Sequence, residues 1–288
     1  MSIAIMSDFH ANLEAAEAVF RDRDSLNRQG RGIDKTYCLG DLVDYGANPR
    51  EVIDLVRKEC DLVLSGNHDA DVAGRKVMPM YRGHVLEDYI GIAEVSYWTR
   101  EKLNGYRMER KTFLTRFGIK TSQSASDWLA TLSTIHKEGD ITYVHANPID
   151  GLHLNGYFMM SEIETLAEVV GIHPMIIVGH AFASFGKLCF IGHTHVPETI
   201  IKDDEQKRIN IEWISGPKRF NMDRKYQTII NVGSVGQPRD RDNRACYVVF
   251  DGETAEFRRV EYDVQKAVEK IRAEEIDPRH ADRLFVGV

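Results

Sequence analysis

No run of five or more basic residues occurs in this 288-residue chain, and its net charge is -7. A continuous cationic track for long nucleic acid is therefore not visible, which leaves room only for a local basic patch. No stretch approaches the roughly 18 consecutive apolar residues of a membrane-spanning helix. The N-terminus, Met1-Ser2-Ile3-Ala4-Ile5-Met6, lacks the basic start and long apolar core of a secretory signal, and it runs straight into a polar motif. Cysteine is scarce. Cys38, Cys60, Cys189 and Cys246 form no C-x-x-C pair, and three of them sit in apolar runs (YCLG, LCFIG, ACYVVF). Such usage indicates buried free thiols in a reducing, cytoplasmic compartment rather than a disulfide framework. Internal repeats, low-complexity tracts and obvious linkers are absent too. What remains is an ordinary globular mixture, 43% hydrophobic and 28% charged, long enough to bury a large core.

Hydrophobic patterning gives the expected elements. Ile3 to Ser7 is a strand-length run ended by Asp8-Phe9-His10, and Leu13, Ala16 and Phe20 then recur at helical spacing. Thr36 to Leu39 is a second strand, ending in Gly40-Asp41. Asn48-Pro49-Arg50-Glu51 reads as a helix start, with Asn48 as N-cap and Pro49 in the first turn. Leu62 to Leu64 ends in Ser65-Gly66-Asn67-His68-Asp69. This rhythm predicts right-handed crossovers and a largely parallel sheet, with ligands outside the carboxyl ends of its strands. Residues 72–138 break the pattern and read as a helical insertion, with helices over Val85 to Leu103 and Ser126 to His136. Strands are expected again at Ile141 to Val144 and Met175 to Val178, around a helix from Ser161 to Val170. Six more follow from Leu188 to Tyr262, then a closing helix carrying Val264, Ala267, Val268 and Ile271. The expected fold class is α/β, one domain over 1–288 with a second sheet packed on the first.

Five polar clusters each follow an apolar strand-length run. They are Asp8-x-His10, Gly40-Asp41-x-x-Asp44, Gly66-Asn67-His68-Asp69, His145 after Ile141 to Val144, and Gly192-His193-Thr194-His195. Imidazole and carboxylate together suit zinc, iron, manganese or nickel, and no thiolate is placed to select a softer ion. One Asp-x-His alone is weak evidence, whereas five clusters in order at strand ends point to one metal centre. At the fourth position Gly179-His180 rivals His145. The interval from 180 to 193 leaves little room for a crossover between neighbouring parallel strands, which favours His145.

The ordered set resembles the calcineurin-like metallophosphoesterase superfamily: D-x-H, G-D-x-x-D, G-N-H-D/E, a histidine, then G-H-x-H, spanning Asp8 to His195. Ser7 to Glu14 and Asn231 to Asp240 are most similar to its bacterial and archaeal phosphodiesterase-type branch. The resemblance implies an αββα sandwich of two mixed sheets flanked by helices. It implies two divalent cations (manganese, iron, zinc or nickel), one on Asp8, His10 and His195, the other on Asn67, His145 and His193, with Asp41 bridging. It further implies a metal-activated hydroxide attacking phosphorus in line, His68 as general acid, and Asp44 holding His68 in its protonated form. Asn67 would also touch substrate, and Arg239 is a candidate phosphate ligand with an ion pair to Asp240 or Asp242 as the alternative. Tyr45 stands where protein phosphatases of the family carry arginine, which argues against that activity. The expected substrate is a small phosphate ester, nucleotides included. A nuclease or a dinucleoside polyphosphate hydrolase could use the same site. A non-catalytic scaffold of the retromer kind would lack His68, and a mononuclear redox iron site would need fewer ligands.

Overall fold

The computed structural model describes residues 1–75, 85–109, 122–154, 156, 158, 163–164, 167–168, 171 and 173–288. β1 (Ser2–Met6), β2 (Ile33–Cys38) and β3 (Leu62–Val63) run parallel. They are joined through α1 (Leu13–Arg28) and α2 (Pro49–Glu59), since a parallel pair cannot close with a hairpin. On the far side of β1 the sheet continues antiparallel through β13 (Ala245–Phe250), β14 (Thr254–Val260) and β11 (Lys218–Asn221). The second six-stranded sheet has the parallel centre β7 (Ile141–Val144), β8 (Leu188–Ile191) and β12 (Gln227–Asn231). β6 (Ile135–Glu138) flanks it on one side, and β9 (Glu198–Asp203) with β10 (Arg208–Trp213) on the other, all antiparallel.

Alternation along the strands builds three layers of core. Ile3, Ile5, Tyr37 and Leu39 point between the sheets onto Tyr143, Leu188, Phe190 and Ile230, where Tyr143 and Phe190 stack with ring centroids 5.5 Å apart. The intervening Ala4 and Met6 point outward under Val19, Phe20, Val52 and Val56 of α1 and α2. Both faces of β1 are thus buried, as expected of a strand in a covered parallel sheet. Outside the second sheet, Val144, Cys189, Ile191 and Ile229 meet Val178 and Phe182 of α6 (Pro174–Ala183). Burying one such side chain fully contributes about 1.5–3 kcal/mol. Cys38, Cys189 and Cys246 are buried, Cys60 is half-buried, and all four are free thiols. No helix among the described residues is long and apolar enough to cross a membrane.

Three local expectations are corrected. Met175 to Val178 is not a strand but part of α6: Pro174 opens the helix, and Val178, Ala181 and Phe182 recur on its buried face. A four-residue apolar run cannot distinguish a strand from a buried helical stripe. The helix expected over Ser126 to His136 is α5 (Ala125–Ala130), after which the chain turns into β6. Thr131 donates its hydroxyl to Trp128 O at 2.7 Å as the helical C-cap of α5, and the β-branched Ile135 suits the extended chain that begins there. Asn48 precedes α2 without a capping side-chain hydrogen bond; its Oδ1 accepts from Lys270 Nζ at 3.1 Å instead. The helix expected over Ser161 to Val170 lies largely outside the described residues. β11 and α8 (Arg279–Val286) lie outside the expected elements, although Ala281 and Leu284 recur at helical spacing on the buried face of α8; α7 (Val264–Arg272) is the closing helix anticipated. Within 72–138, α4 (Val85–Leu103) and α5 occur with a small ribbon of β4 (Arg107–Glu109) and β5 (Ser122–Ser124).

Candidate metal centre

The carboxyl ends of β1, β2, β3, β7, β8 and β12 open onto one edge, where their loops are stitched together. Asp8 N–H donates to Gly40 O at 2.9 Å, Gly192 N–H to His145 O at 2.8 Å, and Gly236 N–H to Asp8 O at 2.9 Å. Asp8, His10, Asp41, Asp44, His193 and His195 all have φ between 44° and 68°. Left-handed backbone at non-glycine residues costs of order 1–3 kcal/mol each and gathers where function over-determines the chain. Two glycines allow the loops to meet: a methyl group on Gly66 would overlap the Asp41 carboxylate and backbone nitrogen, and one on Gly192 would overlap Ser7 Oγ and Asp8 Oδ2. Gly66→Ala should therefore lower stability by about 1–3 kcal/mol or more, read as a lower Tm, and should reduce metal content together with it.

Asp8, His10 and His195 converge, as do Asp41, His145 and His193. His195 Nε2 is 3.2 Å from Asp8 Oδ1 and His145 Nε2 is 3.2 Å from Asp41 Oδ2. Asp41 Oδ2 also stands 3.7 Å from His10 Nε2, placing this carboxylate between the two groups. Asn67 Oδ1 lies 3.1 Å from His145 Nε2. Every one of these residues is at most 9% exposed. His180 is exposed on α6, outside the cluster.

The donor set fits a cation pair on its own chemistry. His10 Nδ1 bonds Val43 O at 3.0 Å and His195 Nδ1 bonds Gln237 O at 2.6 Å. A carbonyl accepts only from N–H, so in the neutral rings both Nε2 atoms carry lone pairs. Those two lone pairs face each other at 3.1 Å, a repulsive contact that a cation relieves. Asp8 Oδ1 is buried beside them without a hydrogen bond, while Oδ2 accepts from His193 N–H at 3.0 Å. Burial pushes the His10 and His195 imidazoles below their ordinary value, and burial with His145 nearby takes His193 down to about 3. Burial acts against the ionised Asp8 and Asp41, but His195 beside the first and His145 beside the second hold both well below the usual carboxylate range. Burial also disfavours a charged His145, yet Asp41 lifts it to about 9, so a cation there would displace a proton.

His68 hangs beside this pair on α3 (Asn67–Val72). Its Nδ1 is 2.7 Å from Asp44 Oδ2. Asp44 is fully buried and also accepts from Ser96 Oγ at 2.8 Å and Thr99 Oγ1 at 2.6 Å, both on α4. Burial lowers the His68 pKa, but Asp41 and Asp44 outweigh it and raise the ring above its ordinary value. His68 Nε2 meets Tyr45 OH at 3.1 Å, and the Tyr45 ring packs on His280 from α8. Arg239 Nη2 donates to Gln237 Oε1 at 2.7 Å, whereas Asp240 and Asp242 bond Arg259 and Arg244.

Asp69 takes no part in the set that the family resemblance implies. It accepts from the backbone N–H of Asp41, Leu42 and Gly66 at 2.8–2.9 Å and so fixes both loops. Burial beside Asp41 raises it to about 7. Its place in the Gly66-Asn67-His68-Asp69 run was the one available signal. Ser96, Thr99 and His280 had none, since they reach the site from α4 and α8.

The calcineurin-like phosphoesterase family profile matches residues 1–197. An uncharacterized protein of Methanocaldococcus jannaschii is 33% identical over 294 residues, covering 99% of this chain and 98% of the relative. A crystal structure of a metallophosphoesterase from Sphaerobacter thermophilus superposes with TM-score 0.72 at 30% identity, covering 100% of this chain and 99% of the other. A hypothetical protein of Pyrococcus horikoshii shares the fold, with TM-score 0.65 at 18% identity over 100% and 98% of the two chains. The chain belongs to the calcineurin-like phosphoesterase family. It is a metallophosphoesterase, a hydrolase of phosphoric esters.

Proposed function

We propose that the enzyme cleaves small phosphate esters, nucleotides among them, using two divalent cations. One is held by Asp8, His10 and His195 and the other by Asn67, His145 and His193, with Asp41 shared. The observation that carries this reading is the pair of imidazole lone pairs facing each other at 3.1 Å beside the bare Asp8 oxygen. When bound, the cations supply Lewis acidity to the phosphoryl oxygens and acidify the attacking water. The protein's own part is to position and to donate. Asp44 holds His68 through Nδ1, so the proton for the leaving oxygen sits on Nε2, on the side of Tyr45. Residues 72–138 act as an insertion within one domain, lending Ser96 and Thr99 to brace Asp44. Arg239 lies close enough to lower the His10 and His195 pKa values by its charge, which supports a phosphate-contacting role. Imidazole and carboxylate donors admit manganese, iron, zinc or nickel.

The test is turnover of an aryl phosphodiester and an aryl phosphomonoester after chelation and re-addition of each of these four ions. Chelation should abolish hydrolysis and at least one ion should restore it. Cleavage of neither ester under any of the four ions would end this reading.

A further inference from the structure

We infer that β10 is a dimerisation edge, at which two copies of this chain pair antiparallel about a two-fold axis at Asn210. Of the four outer strands of the two large sheets, β10 is the longest at six residues, against four in β6, four in β11 and two in β3. It pairs with β9 in unbroken register from Arg208 opposite Asp203 to Trp213 opposite Glu198. Among the described residues its other side carries no strand, and apart from Ile209 all its residues are exposed. Natural sheets usually blunt such an edge with proline, a bulge, a short strand or charged side chains. Arg208-Ile209-Asn210-Ile211-Glu212-Trp213 has no proline, bulge or truncation, and its two charges, Arg208 and Glu212, are of opposite sign and so can pair across a two-fold axis. Trp213 is 70% exposed and Ile211 39% exposed, side chains that strands commonly bury against neighbours.

The occupant is specified by the order of the side chains. With Asn210 facing its own counterpart, Ile209 of one copy stands opposite Ile211 of the second. Arg208 stands opposite Glu212, and each pair occurs twice by symmetry. Apolar and opposite-charge pairs are among the cross-strand combinations that stabilise a ladder. Glu212 already bonds Lys218 within its own chain, so the incoming arginine would add to an existing cationic partner, and Arg208 brings the charge that makes the edge self-complementary.

Light scattering over a concentration series should give twice the 32.8 kDa chain mass at the upper end. Ile211→Lys should raise the dimer dissociation constant at least tenfold. Arg208→Glu and Glu212→Arg should each be monomeric, because each sets like charges opposite one another. The two variants mixed one to one should form heterodimers, and Arg208→Glu/Glu212→Arg in one chain should restore the homodimer. Asn210→Cys should cross-link between copies on mild oxidation where the parent protein does not. A parent protein monomeric at every concentration would overturn the inference, as would a dimer indifferent to Ile211→Lys and to both charge reversals.

Discussion

Asp41→Asn should lower kcat/KM by at least ~10³-fold and leave the protein with fewer than two bound metal ions per chain. The substitution is nearly isosteric, so the fold should survive. Oδ1 accepts from His68 N–H at 3.0 Å, and an amide oxygen can keep that bond. What is lost is the negative charge between two groups of imidazoles. Asp41 Oδ2 is 3.2 Å from His145 Nε2 and 3.7 Å from His10 Nε2, so one neutralised carboxylate would weaken both proposed cation sites. Removing a single electrostatic stabiliser from an active site costs ~10²–10³-fold in rate, and a shared ligand should cost at least the upper figure. Steady-state kinetics on an aryl phosphate ester, with elemental analysis of the purified protein, measure both quantities. Full activity with two ions bound would show that Asp41 does not bridge.

The parts of this molecule legible in the sequence are those whose signal is local. Asp8, Asp41, Asn67, His145 and His193 each end a strand-length apolar run, and parallel strands place such ends together. The fold followed from the same runs and their spacing. Segments failed where one pattern admits two structures. Met175 to Val178 is apolar without interruption, and Pro174 as a helix opener outweighed the β-branched content. Ser126 to His136 held enough helix formers to look continuous, yet the ladder between β6 and β7, with Ile135 opposite Val144, took its second half. The braces on His68 were illegible for another reason. Ser96 and Thr99 lie 52 and 55 residues from Asp44, and His280 meets Tyr45 from the far end of the chain. Nothing local marks a serine on a helix as the partner of a buried carboxylate.

His68→Ala should depend on the leaving group. Protonating a poor leaving oxygen is worth ~10²–10⁴-fold, so an alkyl phosphate ester should lose about that factor, whereas a p-nitrophenyl ester, whose leaving group departs as a stable anion, should lose far less. The pH profile carries the sign. His68 is held above the ordinary imidazole value of 6.5, by Asp41 and Asp44 acting against burial. Its acid form therefore persists above pH 6.5, and kcat/KM on the alkyl ester should fall as pH rises through the raised value. The alkaline limb should vanish in His68→Ala, and in Asp44→Asn it should move to lower pH, since the anion that favours the charged ring is gone. Stability follows the same direction: the His68 contribution is complete below about 6.5 and is lost as pH rises through the folded-state value. Equal losses on both esters, with the alkaline limb intact in His68→Ala, would assign proton donation to another group; the phenol of Tyr45, 3.1 Å from His68 Nε2, would be the next to replace.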